Sequence, residues 1–499
     1  MIALFGPYRY SKISYARKDR AYMLLFTAFL FLCMTVLIPG CTQKPSLFPE
    51  IPDASDSAIV SSFPSEPVPS TTENAPEIIR IAAPFSQETM TFLVRLYTAK
   101  KYESLGMGVT GQTVSLDYLS TVQPEFAVEV INTSLTGADY SSIMNWSKSG
   151  TIPDIMLTDS IAELTDRGFV LPMDQYLAKN DLVLPSHAYY DMLTLFEKSG
   201  KRYGIPFSAS VAVIFYNSEI LNKTGIPVSF EPDMEVLMEY ASFIHRYNED
   251  QSDPESAVFP FFSASELFPY LPSSYDSDAK YFAFEEGYID VDSDAFIKSI
   301  EYIRSFESHS FIEGLTAEEI SEYFGALHPI IAKRVAFWAG RSDEVSRWAN
   351  YMPHTLGLAP IPNDLGLESG PFAVTVYPLC VSSDTLHPGY SVDFATFISL
   401  DADAILLRLR LENHEGFIPV IKSPEVWMAT FAEATYCGPL VTIKDSMDWA
   451  YYTPIGSNPT FLTETEMFLG EYGDLLFFEN TNIDEILESY RENRDIYGG

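Results

Sequence analysis

Basic residues are scarce in this chain: 31 Lys and Arg stand against 68 Asp and Glu in 499 residues, a net charge of −37. The first 40 residues hold Arg9, Lys12, Arg17, Lys18 and Arg20 against Asp19 alone, so the remainder carries 26 basic and 67 acidic residues, a net −41. Phosphate backbones and anionic lipid surfaces are gripped by clustered Lys and Arg, and this balance excludes a nucleic-acid-binding protein. Cysteine is nearly absent too, with 4 residues and no C-x-x-C or Cys/His ligand spacing, which argues against a zinc or redox centre. Cys33 sits in an early apolar run and Cys41 just after it. Cys380 and Cys437 either pair in an oxidising exterior or stay as buried thiols. The 7 histidines are scattered, and His414-Glu415 lacks the second His of a metalloprotease helix. No G-x-S-x-G is present, and Gly200-Lys201-Arg202 lacks the leading Gly and the Ser/Thr of a phosphate loop. Carboxylates are too abundant for a glycosidase pair to stand out. The chain therefore reads as a non-enzyme, without a cofactor.

What is present is a folding composition, 47% hydrophobic and 14% aromatic, in a chain longer than one core normally holds. It opens with a targeting segment. A basic stretch ends at Arg20, an apolar run covers Ala21 to Ile38, and Leu37-Ile38-Pro39-Gly40-Cys41 follows. This resembles a bacterial lipoprotein signal, with residues 1–40 removed and lipid attached at the Cys41 thiol. The competing reading is an uncleaved membrane anchor; either one sets the body outside the cytoplasm. Residues 42–76 hold seven Pro and seven Ser with Lys44 as the single base. Such a segment buries too little apolar surface to fold, so 41–76 reads as a tether.

From Ile78 the chain alternates. Ile78 to Ala83 reads as a strand, Pro84-Phe85-Ser86 turns into a helix towards Tyr102, and Val114–Leu119 and Phe126–Ile131 read as strands. Asp139–Lys148 reads as a helix that stops at Gly150. Ile155–Leu157 is a strand, and Thr158-Asp159-Ser160 caps the helix after it, with Glu163 at capping-box spacing from Ser160. Alternating strands and helices predict an α/β fold with a largely parallel sheet. The strongest single stretch is Gly200 to Pro227: a glycine turn, then Val211 to Tyr216 apolar on both faces, then a short helix capped by Asn217 or Ser218 and stopped at Gly225-Ile226-Pro227. Asp290, Asp292, Asp294 and Glu301 match calcium-loop positions 1, 3, 5 and 12, but Ala295 stands where the sharp turn needs Gly. The segment is read instead as an acidic helix start capped by Ser293 or Asp292, and no metal is assigned.

Several segments together resemble a known family. Ser149-Gly150-Thr151-Ile152-Pro153-Asp154, Gly168 to Leu177, Gly200 to Pro227, Arg334 to Gly340, Gly357 to Pro362, Ser391 to Ile398 and Gly416-Phe417-Ile418-Pro419 are similar, in order, to segments of extracellular solute-binding proteins of the maltose-binding type. The resemblance implies a two-lobed periplasmic-binding-protein-like fold (type II), each lobe a mainly parallel sheet flanked by helices. It places 77–205 and 338–400 in the first lobe, 206–337 and 401–499 in the second, and Tyr203–Phe207 at the first crossing. It implies capture of a small solute, a carbohydrate or oligosaccharide, and delivery to the membrane subunits of an ABC importer from the outer face of the cell membrane. A surface sensor or adhesion lipoprotein on the same fold, or an extracellular hydrolase, are the alternative readings. By position the candidate ligand residues are Phe85 and Ser86 after the first strand, Thr158, Asp159 and Ser160 at a strand's carboxyl end, Ser208 and Ser210 past the crossing, Trp338 and Arg341 on the returning strand, and Trp449, Tyr451 and Tyr452 in an aromatic cluster. Aromatic faces suit sugar rings, and Asp, Ser and Arg suit their hydroxyls. Each has a plain structural reading beside it: Trp338 as core, Asp159 as a helix cap, Ser208 and Ser210 as strand residues, and Arg341 as the partner of Asp343 or Glu344. Where relatives often set an aromatic platform after the Pro-Asp strand, this chain has Thr158 and Asp159.

Overall fold

The computed structural model describes residues 77–102, 114–179, 188–227, 233–251, 256–283, 287–307, 309–365, 373–412, 415–432, 434–453 and 459–497. The signal, Cys41 and the tether lie outside them. All described residues belong to one contact unit, Val68–Gly499.

The frame is a 9-stranded sheet. Its strands are β1 (Ile78–Ala83), β2 (Ala127–Asn132), β3 (Ile155–Leu157), β4 (Gly204–Asn217), β5 (Phe259–Phe261), β6 (Val335–Arg341), β7 (Leu356–Pro360), β8 (Ala373–Val381) and β9 (Tyr451–Thr453). The order is β2-β1-β3-β8-β4-β6-β5, with β7 also on β4 and β9 also on β8. The flanking ladders β1·β2, β1·β3, β6·β5 and β8·β9 are parallel. The ladders that β3, β4, β6, β7 and β8 form around the centre are antiparallel. The α/β architecture expected from the sequence is present, with α1 (Gln87–Lys101), α2 (Leu116–Thr121), α3 (Tyr140–Ser149), α4 (Ile161–Asp166), α5 (Ser218–Thr224), α6 (Met234–Glu249), α7 (Asp294–Arg304), α8 (Pro388–Leu400), α9 (Ala402–Leu411), α10 (Pro459–Phe477) and α11 (Ile483–Tyr497) among its helices. No helix among the described residues is long and apolar enough to cross a membrane.

β4 organises the rest. All 14 of its residues are buried. From Gly204 to Val211 it pairs with β8; from Ala212 onward it pairs with β6 and β7 on its two edges. The change of partners thus falls at Val211/Ala212, beyond the Tyr203–Phe207 stretch read as the crossing. Its side chains alternate between two cores, as strand periodicity requires. Val211, Val213 and Phe215 enter the larger cluster, while Ala212, Ile214 and Tyr216 enter the smaller one with the packed rings of Phe268, Phe296 and Phe468. The turn before β4 has Gly200 at φ 71, and α5 ends on left-handed Gly225. α8 and α9 straddle the boundary expected at residue 400, yet both contribute to the larger cluster.

Two local readings are corrected. Val114–Leu119 is not a strand: Ser115 caps α2 by accepting the Asp117 N–H, and this short-range bond overrides the apolar–polar alternation. Ser160 stands at the N-cap of α4 but forms no side-chain cap; its hydroxyl donates instead to Asp159 Oδ1 at 2.9 Å. Ser86 and Asp139 cap α1 and α3, and of the two caps expected for α5 it is Asn217 that forms. Ser293 caps α7, while Asp290 accepts the Asp292 N–H and Asp292 pairs with Arg491. Cys380 and Cys437 are both buried and free.

Phe215 stacks on Trp338 at 5.8 Å between ring centroids. Its replacement by alanine removes the ring that joins β4 to β6, and chemical denaturation should record a loss of about 3–5 kcal/mol. A loss under about 1 kcal/mol would show that the site collapses around the smaller side chain.

Candidate functional site

The sequence candidates fall on the ends of strands that reach the middle of the sheet. At the first corner, after β1, the Phe85 ring is buried and meets Phe207 of β4 edge-on at 5.6 Å. Ser86 caps α1 by accepting the Thr89 N–H at 3.1 Å. Its own N–H donates to Glu412 Oε1 at 2.9 Å, and the Thr89 hydroxyl donates to the same oxygen at 2.6 Å. An anion at a helix N-terminus is favourably placed.

At the second corner, after β3, Thr158 is fully buried and its hydroxyl donates to the Ala138 carbonyl at 2.8 Å. Thr158 is therefore spent on structure. Asp159 is half-buried. Burial pushes its carboxyl up, the Ser160 hydroxyl and Arg341 pull it down, and Asp139 adds to the rise. Asp159 and Arg341, from distant elements, thus sense each other's charge.

The third part is the end of β6 against β4 and β8. Arg341 Nε donates to Asp343 Oδ1 at 3.3 Å, and its backbone N–H donates to Glu344 Oε1 at 3.2 Å. Tyr377 of β8 donates from Oη to Asp343 Oδ2 at 2.6 Å and lies 3.4 Å from the Ser210 hydroxyl. Burial opposes the Arg341 charge, but Tyr377, Asp343, Glu344 and Tyr270 outweigh it and raise the guanidinium above its ordinary value. Burial also pushes Tyr270 up to about 12, with Arg341 opposing. Ser342 locks the corner: its hydroxyl accepts the Val211 N–H at 3.0 Å and donates to the Gly416 carbonyl. Gly416 has φ 101, and a Cβ there would run into the Ser342 carbonyl.

The first and third parts are joined by Phe417, whose ring meets Tyr377 edge-on at 5.9 Å. Phe417 also lines a concavity with Pro84, Phe85, Leu135, Phe207, Ser208, Arg408, Leu409 and Glu412. Ser208, opposite Tyr377 in the ladder, opens into it. The concavity therefore offers ring faces, hydroxyls, a carboxylate and a guanidinium, which suits reversible recognition of a polyhydroxyl compound. Among the described residues no three His, Cys, Asp or Glu come together to hold a metal ion.

Not every candidate arrives here. Trp338 is buried, stacked on Phe215 and edge-on to Trp348 at 5.5 Å, so it is a core residue, three positions before Arg341 on the same strand. The backbone of β9 sets Tyr451 and Tyr452 beside Ala373 and Val374 at the start of β8; their side chains and that of Trp449 lie outside the described residues. The pairing of Arg341 with Asp343 was read from the sequence and is present, but sequence reasoning missed Tyr377, Arg408, Glu412 and the ring of Phe417. One signal was available for Arg408: it shares the buried stripe of α9 with Ala404 and Ile405, where a charge is out of pattern.

The sequence matches no protein-family model and no curated protein. The fold, however, is similar to that of solved solute-binding proteins. An ABC substrate-binding protein from Listeria monocytogenes, in complex with cycloalternan, aligns at TM-score 0.54 and 13% identity over 84% of this chain and 98% of its own. A cyclic alpha-maltosyl-1,6-maltose binding protein from Arthrobacter globiformis aligns at TM-score 0.55 and 13% identity, covering 83% and 96%. An ABC transporter solute-binding protein from Thermotoga lettingae, bound with alpha-D-tagatose, aligns at 0.54 and 13%, covering 85% and 99%.

Glu266 borders this corner. Burial, with Glu344 and Glu313 adding and Arg347 opposing, pushes its carboxyl up to about 7, although the side chain meets solvent, which tempers the effect. A carboxyl raised in the folded state favours folding while it is protonated and loses that contribution as pH rises through its folded value. Between pH 4.5, its ordinary value, and about 7, the stability of Glu266→Gln should therefore fall less with pH than that of the parent chain. Parallel curves in denaturant titrations over this window would refute the assignment.

Proposed function

We propose that this chain is an extracellular solute-binding protein that captures a carbohydrate and passes it to the membrane subunits of an ABC importer. The observation that carries this reading is the concavity lined by Phe85, Phe207, Phe417 and Ser208, which the Phe417–Tyr377 contact joins to the corner where Tyr377 and Arg341 hold Asp343, with Asp159 within reach of the Arg341 charge. Ring faces cover the apolar face of a sugar, while the carboxylates, hydroxyls and guanidinium bond its rim. Sugar ligands named for proteins of the same fold support the ligand class. Of the candidates, Phe85, Ser86, Asp159, Ser160, Ser208, Ser210 and Arg341 are assigned to the wall of the site. Thr158 and Trp338 shape it from behind, and Trp449, Tyr451 and Tyr452 are kept as ligand contacts on the sequence resemblance alone.

The body divides, in this reading, into two lobes that close on the ligand. β4 and β8 carry the connection, and the partner change at Val211/Ala212 is the point of flexure. Closure is a shift towards the state in which both lobes touch the ligand. The mature protein starts at Cys41, whose thiol carries the lipid, and the 41–76 tether holds the body off the outer face of the membrane.

A binder gains thermal stability with its ligand by mass action, about 2.7 kcal/mol at a hundredfold excess over Kd, and returns the ligand unchanged. A thermal-shift panel of mono- and oligosaccharides should give a dose-dependent rise for at least one member. Asp159→Asn and Arg341→Ala should each weaken that ligand about tenfold or more. No shift with any sugar, or turnover of one during incubation, would overturn the proposal.

A further inference from the structure

The concavity beside Phe85 holds a charge that the protein leaves uncompensated. Arg408 projects from α9 into its wall and is only 9% exposed. Its guanidinium carbon lies 4.0 Å from the centroid of the Phe207 ring and 5.7 Å from that of Phe85. Nη2 donates to the Phe207 carbonyl at 3.3 Å, while Nη1 is buried without a partner. Cation–π contact offsets part of the desolvation of such a group, but a buried cation normally sits against a carboxylate. Glu412, one helical turn on, lines the same concavity, yet the Ser86 N–H and the Thr89 hydroxyl hold its Oε1, and no ion pair to Arg408 forms. Burial alone displaces the guanidinium from its ordinary value, down to about 9, with no acidic neighbour raising it; it therefore stays charged at neutral pH.

The concavity encloses about 30 Å³ and opens directly to solvent, about 370 Å³ once the open space at its mouth is included. Its other walls are Pro84, Phe85, Leu135, Leu409 and Phe417. A carboxylate is planar and meets a guanidinium edge to edge. Attached to a sugar ring, it brings an apolar face to the Phe85–Phe417 side of the same space. We propose that the ligand is an acidic saccharide, a uronate whose ring carboxylate docks on Arg408. The inference rests on the carbohydrate reading above and narrows it to a charge class. It also runs against the bulk charge of −37: the acidic surface disfavours anions in general, and one buried cation selects the anion that also fits the rings. Selectivity arises because a neutral competitor leaves Nη1 unpaired.

Matched pairs test this with the full chain. Trisaccharides of galacturonate, glucuronate and mannuronate are titrated calorimetrically against their methyl esters, which keep the ring and remove the charge, and against the corresponding neutral trisaccharides. At least one uronate should bind about tenfold or more tighter than its own ester, and that preference should weaken with salt less than an exposed pair would. Arg408→Gln should abolish the preference. Esters or neutral trisaccharides that bind as well as the uronates would overturn the inference and leave the carbohydrate reading standing. A uronate preference that survives in Arg408→Gln would also overturn it, by moving the recognition elsewhere. If none of these sugars binds, the inference falls, and the wider saccharide panel decides the carbohydrate reading separately. Should Arg408→Gln fail to fold, the uronate–ester comparison on the parent chain decides alone.

Discussion

Everything in this fold depends on one strand that has no outside. β4 buries 14 consecutive residues, so every peptide group along it must find a partner within the protein. It meets this by changing ladders midway, β8 first and then β6 with β7. At the change, the Val211 N–H is taken by a side chain, Ser342 Oγ, rather than by a strand. Because its alternate side chains enter different cores, a register slip of one residue would exchange the two sets and ruin both. The position of the polar corner at Arg341 follows from this: β6 is fixed on β4 by the pairing of Arg341 with Ala212, and the segment after it must turn beside Ser342.

The corner then works with a mixed set of charges. One guanidinium stands among Asp343, Glu344 and, further off, Asp159 and Tyr270. Asp343 is held from two directions, by Arg341 and by Tyr377. A carboxylate anchored twice keeps its geometry, and so does the cation on it, which is the preorganisation that limits the entropy lost on binding. The Arg408 side is built differently: a cation clamped by two rings and a carbonyl, with its nearest acid committed to a helix end.

The overall plan was legible because it is written in local chemistry. Gly200, Asn217 and Gly225 punctuate β4 and α5 as their residue types require, and the two-faced apolar run between them admits only a buried strand. The errors were local as well. Val114 to Leu119 alternates like a strand, but a two-residue bond from Ser115 outweighs the pattern. Ser160 has capping-box spacing, but Asp159 next to it captures the hydroxyl. The polar corner at Arg341 was legible only in part. Asp159 and Arg341 announce themselves at a strand end and on a returning strand. Tyr377 and Asp343 are 34 residues apart, and Arg408 meets a carbonyl 201 residues away. No periodicity encodes such meetings; they exist only once β4, β6 and β8 are side by side.

The two described cysteines have a consequence for where such a protein can operate. Cys380 is packed in β8 with its thiol on the Met156 carbonyl at 3.4 Å, and Cys437 is likewise enclosed. Burial pushes the Cys380 thiol up to about 12, so neither a reactive thiolate nor a cross-link contributes to this body. Packing, ladder bonds, helix caps and ion pairs hold the described body without a cross-link between these two cysteines. Among the described residues no disulfide has to form or be preserved, so neither Cys380 nor Cys437 couples folding to the redox poise of the medium.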